Sequence, residues 1–237
     1  MKQIVVLLLF IAGTGKLVAQ VNIGDNIEKG YRDFVQQTRS IITKNELSDF
    51  AGLGGEKRFF SGKWEKGQIT SNTGLSISTK YMFNYDFLDK QLFVLFKDTV
   101  IVADNNYVNS FYLEKDGVRH FFTKFSSIDN TNFMESIHFD STQKTGIQFL
   151  KNRTTVLVKG NKNSYMANFS GNYSDDLKEK TDYYLYFPNG TFLKVKLDKK
   201  DLSAALEKYN DKTAPFFNSV KKVTEENVKD LLLLLNS

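Results

Sequence analysis

The chain has 237 residues, no cysteine and a formal charge of +5, with 25% charged and 14% aromatic residues. A cysteine-free chain of this length is not a small disulfide-held scaffold and has to stand on a core of its own. Its 32 basic and 27 acidic residues are mixed in runs such as "LKEKTD" and "KLDKKD", which read as solvated faces and argue against nucleic-acid binding.

The N-terminus predicts the compartment. Lys2 precedes an apolar run over 4–12, and Leu17-Val18-Ala19 places small or aliphatic residues before a cut at Gln20. This is the pattern of a secretory signal peptide over 1–19, too short to span a bilayer. Removal of Lys2 and Lys16 with it lowers the formal charge from +5 to +3. The expected product is exported, periplasmic or extracellular, with no stable membrane span after cleavage. No cysteine near the cut offers a lipid anchor.

Residues 20–55 read as an amphipathic helix followed by a glycine-rich linker. Ile27, Tyr31, Phe34, Val35, Thr38, Ile41 and Ile42 form one stripe at helical spacing. Asp25 and Glu28 make a capping box, and "AGLGG" at 51–55 ends the segment.

Residues 56–197 change to a period of two. In "KYMFNYDF" Tyr81, Phe83, Tyr85 and Phe87 share one face, and Met82, Asn84 and Asp86 the other. Asp89-Lys90 turns the chain into "QLFVLF", and "TVIVAD" at 99–104 reads as a buried strand. "VNSFYLEKDGVRHFFTKF" is a hairpin around Asp116-Gly117. Further strands are expected at "ESIHF", "TGIQFL" and "TTVLVKG", and at "YYLYF" with "TFLKVKL" around Pro188-Asn189-Gly190. About ten short strands without crossover helices predict an antiparallel meander, forming a curved sheet or partial barrel.

Residues 198–237 read as short helices packed on that sheet. Asp198 caps the first, which carries Leu202, Leu206 and Tyr209. The second is expected at 214–222 from Thr213 and Pro215. The third starts at Thr224 and carries Val228, Leu231, Leu232 and Leu235. The fold class is therefore α+β: mainly antiparallel meander, with an N-terminal helix and short C-terminal helices.

"RFFSGKWEKGQI", "TGIQFLKNRTTVLVKG", "DYYLYFPNGTFLKVKLDKKDLSAALEKY" and "VTEENVKDLLLLLNS" together resemble a group of exported β-rich proteins of Bacteroidota. That group has an early Lys-Gly strand, a late lysine-rich strand and closing helices. The resemblance covers 56–237. It implies a signal-peptide-bearing envelope or secreted protein of a group with no assigned activity, so no functional residue is carried over.

Chemistry-bearing patterns are sparse. There are two histidines, His120 and His138. Glu135 and His138 lie three apart in a segment read as a strand, where that spacing sends side chains to opposite faces. No further metal ligand follows at a useful spacing. No "GxSxG" elbow, P-loop or other cofactor motif occurs. Asp175-Asp176 and Glu225-Glu226 fit turn and helix-capping roles. The Asn-rich stretch "KGNKNSYMANFSGNYSDD" offers Tyr165, Phe169 and Tyr173 as candidate ligand-stacking residues on a surface loop.

The expected function is that of an exported non-enzymatic protein binding a partner or ligand, without cofactor or metal. One alternative is a carrier holding an amphiphile in a cavity lined by "QLFVLF" and "YYLYF". The other is a hydrolase with an unrecognised site, which would place His120 or His138 beside a carboxylate.

Overall fold

A computed structural model describes residues 40–43, 55–78, 81–125, 128–138, 146–159 and 176–236. In chain order they form β1 (Ser40–Thr43), α1 (Gly55–Arg58), β2 (Lys66–Ser71), β3 (Ser76–Ile77), β4 (Met82–Asp86), β5 (Gln91–Phe96) and β6 (Thr99–Val102). There follow β7 (Val108–Lys115), β8 (Val118–Phe125), β9 (Asp129–Ser136), β10 (Gln148–Val158), β11 (Asp176–Tyr186) and β12 (Phe192–Val195). The chain closes with α2 (Lys199–Ala205), a 3₁₀ turn at Glu207–Tyr209, α3 (Asn210–Ser219) and α4 (Glu225–Asn236). The fold is α+β and mostly antiparallel sheet.

The strands form a four-stranded sheet, β1-β6-β5-β4, and an eight-stranded sheet, β12-β11-β10-β9-β8-β7-β2-β3. Every pairing between the named strands is antiparallel. Isolated bridges Phe59–Asp86 and Glu65–Phe83 run along the edge of β4, so the segment leading into β2 stitches the two sheets together. Among the described residues the strands do not close into a barrel.

One face of the large sheet carries most of the interior. The register places Ile69, Phe111, Phe122, Glu135, Lys151, Tyr183 and Val195 in one row across it. At the β2–β9 end that face packs on the small sheet, in a core containing Ile69, Phe83, Tyr85, Leu92, Phe111 and Phe122. At the β10–β12 end it packs on α2–α4, where Phe149, Leu185, Leu202, Leu206, Val228 and Leu231 are buried. Two covers thus sit side by side on one face; the opposite face buries Met134, Ser136 and Leu150 and is the more open of the two among the described residues.

Local chemistry explains the elements. Asp116 and Gly117 both have positive φ, 52° and 79°, which gives the two-residue β7–β8 turn the twist that antiparallel strands require. Asp198 accepts the Asp201 N–H at 2.8 Å and starts α2. Thr224 Oγ1 accepts the Asn227 N–H at 3.3 Å while Asn227 Oδ1 accepts the Thr224 N–H at 3.1 Å, a reciprocal cap for α4. Within the leucine run, Leu231 and Leu232 are buried while Leu233 and Leu234 are exposed.

Several expectations are corrected. Ser40–Thr43, inside the predicted N-terminal helix, is strand β1 paired to β6. Its Ile-Ile-Thr run is β-branched and stiff at χ1, which favours a pleated chain. The rest of that predicted helix lies outside the described residues. "TGIQFL" and "TTVLVKG" are not two strands but the single eleven-residue β10, continuous through Lys151-Asn152-Arg153. β9 ends at Ser136, so Ile137 and His138 fall beyond it. α3 begins at Asn210 and runs through Pro215 rather than starting there, because the preceding 3₁₀ turn already supplies its first helical turn.

The second face of β4 is covered as well. Asn84 and Asp86 are fully buried. Asn84 Nδ2 donates to the carbonyls of Ser61 (2.7 Å) and Lys63 (3.1 Å), and Asp86 meets Arg58 at 2.7 Å. The 58–65 segment covers that face and satisfies its polar groups.

Candidate functional site

The open face of the large sheet bears a groove of about 670 Å³. Small-molecule sites typically hold about 300–1,000 Å³. Because side chains alternate along a strand, residues one step out of phase with the core row face outward. The register places Gln68, Tyr112, Phe121 and Ser136 in one outward row and Thr70, Ser110 and Thr123 in the next. Tyr112 and Phe121 form a tilted pair, with ring centroids 5.6 Å apart.

Curvature closes one end. β8 and β11 are three strand spacings apart, about 14 Å in a flat sheet. Yet the Phe125 ring lies 5.6 Å from Tyr186 and 5.4 Å from Phe192. The register shift at Lys124/Phe125 is a local irregularity of the kind that bends a strand and re-aims its side chain. At the other end the Arg119 guanidinium sits 4.9 Å over the Tyr112 ring. Among the described lining residues Arg119 is the one charge, and there is no carboxylate.

A second constellation lies on the covered face, between the small sheet and the helices. His120 Nδ1 is 2.6 Å from Glu135 Oε1, across the β8–β9 pair. Lys151 Nζ reaches Glu225 Oε1 at 2.9 Å, and Tyr183 Oη donates to the same oxygen at 2.6 Å. Burial, then the hydrogen bond to Glu225, raises the Tyr183 phenol well above its ordinary value. The ring stacks on Phe149 at 5.3 Å. These contacts tie the first turn of α4 to β10 and β11.

The junction of sheet and helix after Leu197 carries a shallower hollow of about 560 Å³, lined in part by Asp182, Lys194, Lys196 and Asp201. Asp182 lies between Lys180 at 3.0 Å and Lys194 at 2.9 Å. Burial works to raise its carboxyl, and the hydrogen bonds from the two lysines outweigh it and lower it. Asp182 thus answers Lys180 and Lys194, and Asp201 accepts the Lys196 backbone N–H at 2.7 Å.

Tyr165, Phe169 and Tyr173 lie outside the described residues. His138 falls beyond the end of β9, and the partner Glu135 meets is His120, fifteen residues away in sequence. The groove was missed because its residues come from several strands with no local motif. One signal was legible: in "VNSFYLEK" Tyr112 is an aromatic residue out of phase with Phe111 and Leu113. Among the described residues no three His, Asp or Glu side chains form a metal-holding group, and no helix is long and apolar enough to cross a membrane. Comparison with protein-family models, curated proteins and solved structures finds no match to this chain.

Proposed function

We propose that the protein is an exported, non-enzymatic binding protein that takes a ligand on the open face of its eight-stranded sheet. The observation that carries this reading is the groove in which Tyr112 and Phe121 alternate with Gln68, Thr70, Ser110 and Thr123. Apolar surface with a few convergent hydrogen-bonding groups is the composition of a recognition site. Export rests on the signal-peptide pattern of residues 1–19. The strands read as cavity linings for an amphiphile carry packed side chains: Leu92 and Val94 fill one core, Phe93 and Leu95 another, and Leu185 is buried under the helices.

Thermal unfolding with a panel of oligosaccharides, short peptides and detergent monomers tests the reading. A ligand at about 100 times its Kd adds about 2.7 kcal/mol, or about 5–10 °C in a chain of this size. Thr123→Trp, or Ser110→Trp should the first disturb folding, fills the groove and abolishes that shift. A probe that stabilises wild-type and filled variants equally binds elsewhere and refutes the proposal.

The His120–Glu135 pair favours a second reading, a hydrolase. A carboxylate holding Nδ1 orients an imidazole for general-base work through Nε2. Turnover of an ester, glycoside or phosphate probe that is lost in His120→Ala, with the unfolding midpoint unchanged, would establish it. Absence of turnover across such a panel returns His120 to a structural role.

A further inference from the structure

The groove's chemistry narrows its ligand, on the premise that the groove is the binding site. We infer that the ligand is an oligosaccharide carrying a carboxylate, a uronic-acid glycan, with its sugar faces on Tyr112 and Phe121 and its carboxylate at Arg119.

Three ligand classes meet this surface differently. An extended peptide binds a sheet by adding a strand at an edge, where backbone groups are free. Here the groove lies on a face, over β2, β7, β8 and β9, whose backbones are paired to one another. An alkyl chain would strip water from Gln68, Thr70, Ser110 and Thr123 and return no hydrogen bonds, which costs free energy at every such group. A sugar answers both parts. Each hydroxyl donates and accepts, matching hydroxyl and amide side chains, and the carbon-bound hydrogens of a pyranose face pack on aromatic rings. Tyr112 and Phe121, tilted 50° to each other, present two adjoining platforms to successive rings of one chain.

Charge selects among sugars. The Arg119 side chain is 59% exposed, and its Nε lies 4.0 Å from Glu114 Oε2, beyond hydrogen-bond distance. The guanidinium lies 4.9 Å over the Tyr112 ring, and among the described residues its fork of donors makes no hydrogen bond. Such a fork matches a carboxylate with two parallel hydrogen bonds. No described lining residue is a carboxylate, and the one carboxylate paired with Arg119 across β7–β8 is Glu114, held beside the guanidinium without a hydrogen bond to it.

Titration calorimetry on the full chain tests this, with trimers of galacturonate, glucuronate and guluronate, each beside its uncharged methyl ester. For at least one sugar the acid binds wild type about tenfold or more tighter than its ester, the scale of a hydrogen bond to a charged group. Arg119→Gln binds both forms at the ester's level. Tyr112→Ala weakens both forms. Added salt weakens the acid and leaves the ester unchanged. Equal binding of acid and ester by wild type overturns the carboxylate while leaving the groove. An acidic tripeptide that binds wild type but not Thr123→Trp, where no sugar binds, overturns the sugar class alone. A sugar that binds Thr123→Trp as tightly as wild type overturns the groove with it.

Discussion

Replacing Arg58 by methionine tests how the two sheets are held together. Asp86 is fully buried at the end of β4. Its Oδ2 accepts Arg58 Nε at 2.8 Å and lies 2.7 Å from Nη2, while Oδ1 accepts the N–H groups of Leu88 at 2.8 Å and Asp89 at 3.2 Å. Methionine keeps the stem packed but leaves a carboxylate with 0% side-chain exposure without its counter-charge. Breaking a buried pair from one side costs about 3–5 kcal/mol. The companion contact to Asp89, which is 57% exposed, adds little. In a chain of this size the loss corresponds to a fall of about 6–20 °C in Tm, at about 2–4 °C per kcal/mol. Urea unfolding gives the free energy and scanning calorimetry the midpoint. Adding Asp86→Asn to Arg58→Met removes the orphan charge while the amide oxygen still accepts from the Leu88 and Asp89 N–H groups, so the double variant is the more stable of the two. A loss below about 1 kcal/mol for Arg58→Met, the scale of a surface pair, or no recovery in the double variant, refutes the reasoning.

Other perturbations follow from the same geometry. The folded state holds the Tyr183 phenol protonated above its ordinary value of 10.0. Its contribution is therefore complete below pH 10 and is lost as pH rises further, since the unfolded chain releases that proton first. Tyr183→Phe flattens the fall of Tm between pH 9 and 11, and an unchanged slope would contradict the contact with Glu225. In Gly67→Ala the new Cβ lies 2.3 Å from the Tyr112 carbonyl oxygen and 3.1 Å from the Phe83 ring. The expected loss is at least about 1–3 kcal/mol in urea unfolding, together with displaced Tyr112 ring signals, because β7 has to move. Lys124 Nζ donates to the Val108 carbonyl at 3.0 Å and to that of Asn105, and lies 4.6 Å over the Phe133 ring. Lys124→Met costs about 1–3 kcal/mol by leaving those carbonyls unpaired, and hydrogen exchange accelerates at 104–108 before it does elsewhere.

What could be read from the sequence was local. The Asp116-Gly117 turn, the inward row Tyr81, Phe83, Tyr85 and Phe87, and the caps at Asp198 and Thr224 each depend on neighbours within a few positions. What escaped depends on partners far along the chain. Lys151-Asn152-Arg153 looked like a break between two strands, but Lys151 meets Glu225 and Arg153 meets Glu179, so polar residues sit inside β10 without ending it. Alternation places Asn84 and Asp86 opposite Phe83 and Tyr85 but cannot show that residues 58–65 return to cover them. The contact of His120 with Glu135 needs the β8–β9 register, which no spacing within either strand contains. The groove is the extreme case. Gln68, Tyr112, Phe121 and Ser136 become neighbours only once four strands are aligned.

The claim that matters most is that ligand is met on the uncovered face of the large sheet. Nuclear magnetic resonance titration of isotope-labelled protein with the uronate trimers reads it directly. The account predicts shifts concentrated at Tyr112, Arg119, Phe121 and Thr123, with His120, Lys151 and Tyr183 on the covered face unmoved. Shifts centred on His120 and Glu135, with the Tyr112 and Phe121 rings silent, would contradict it.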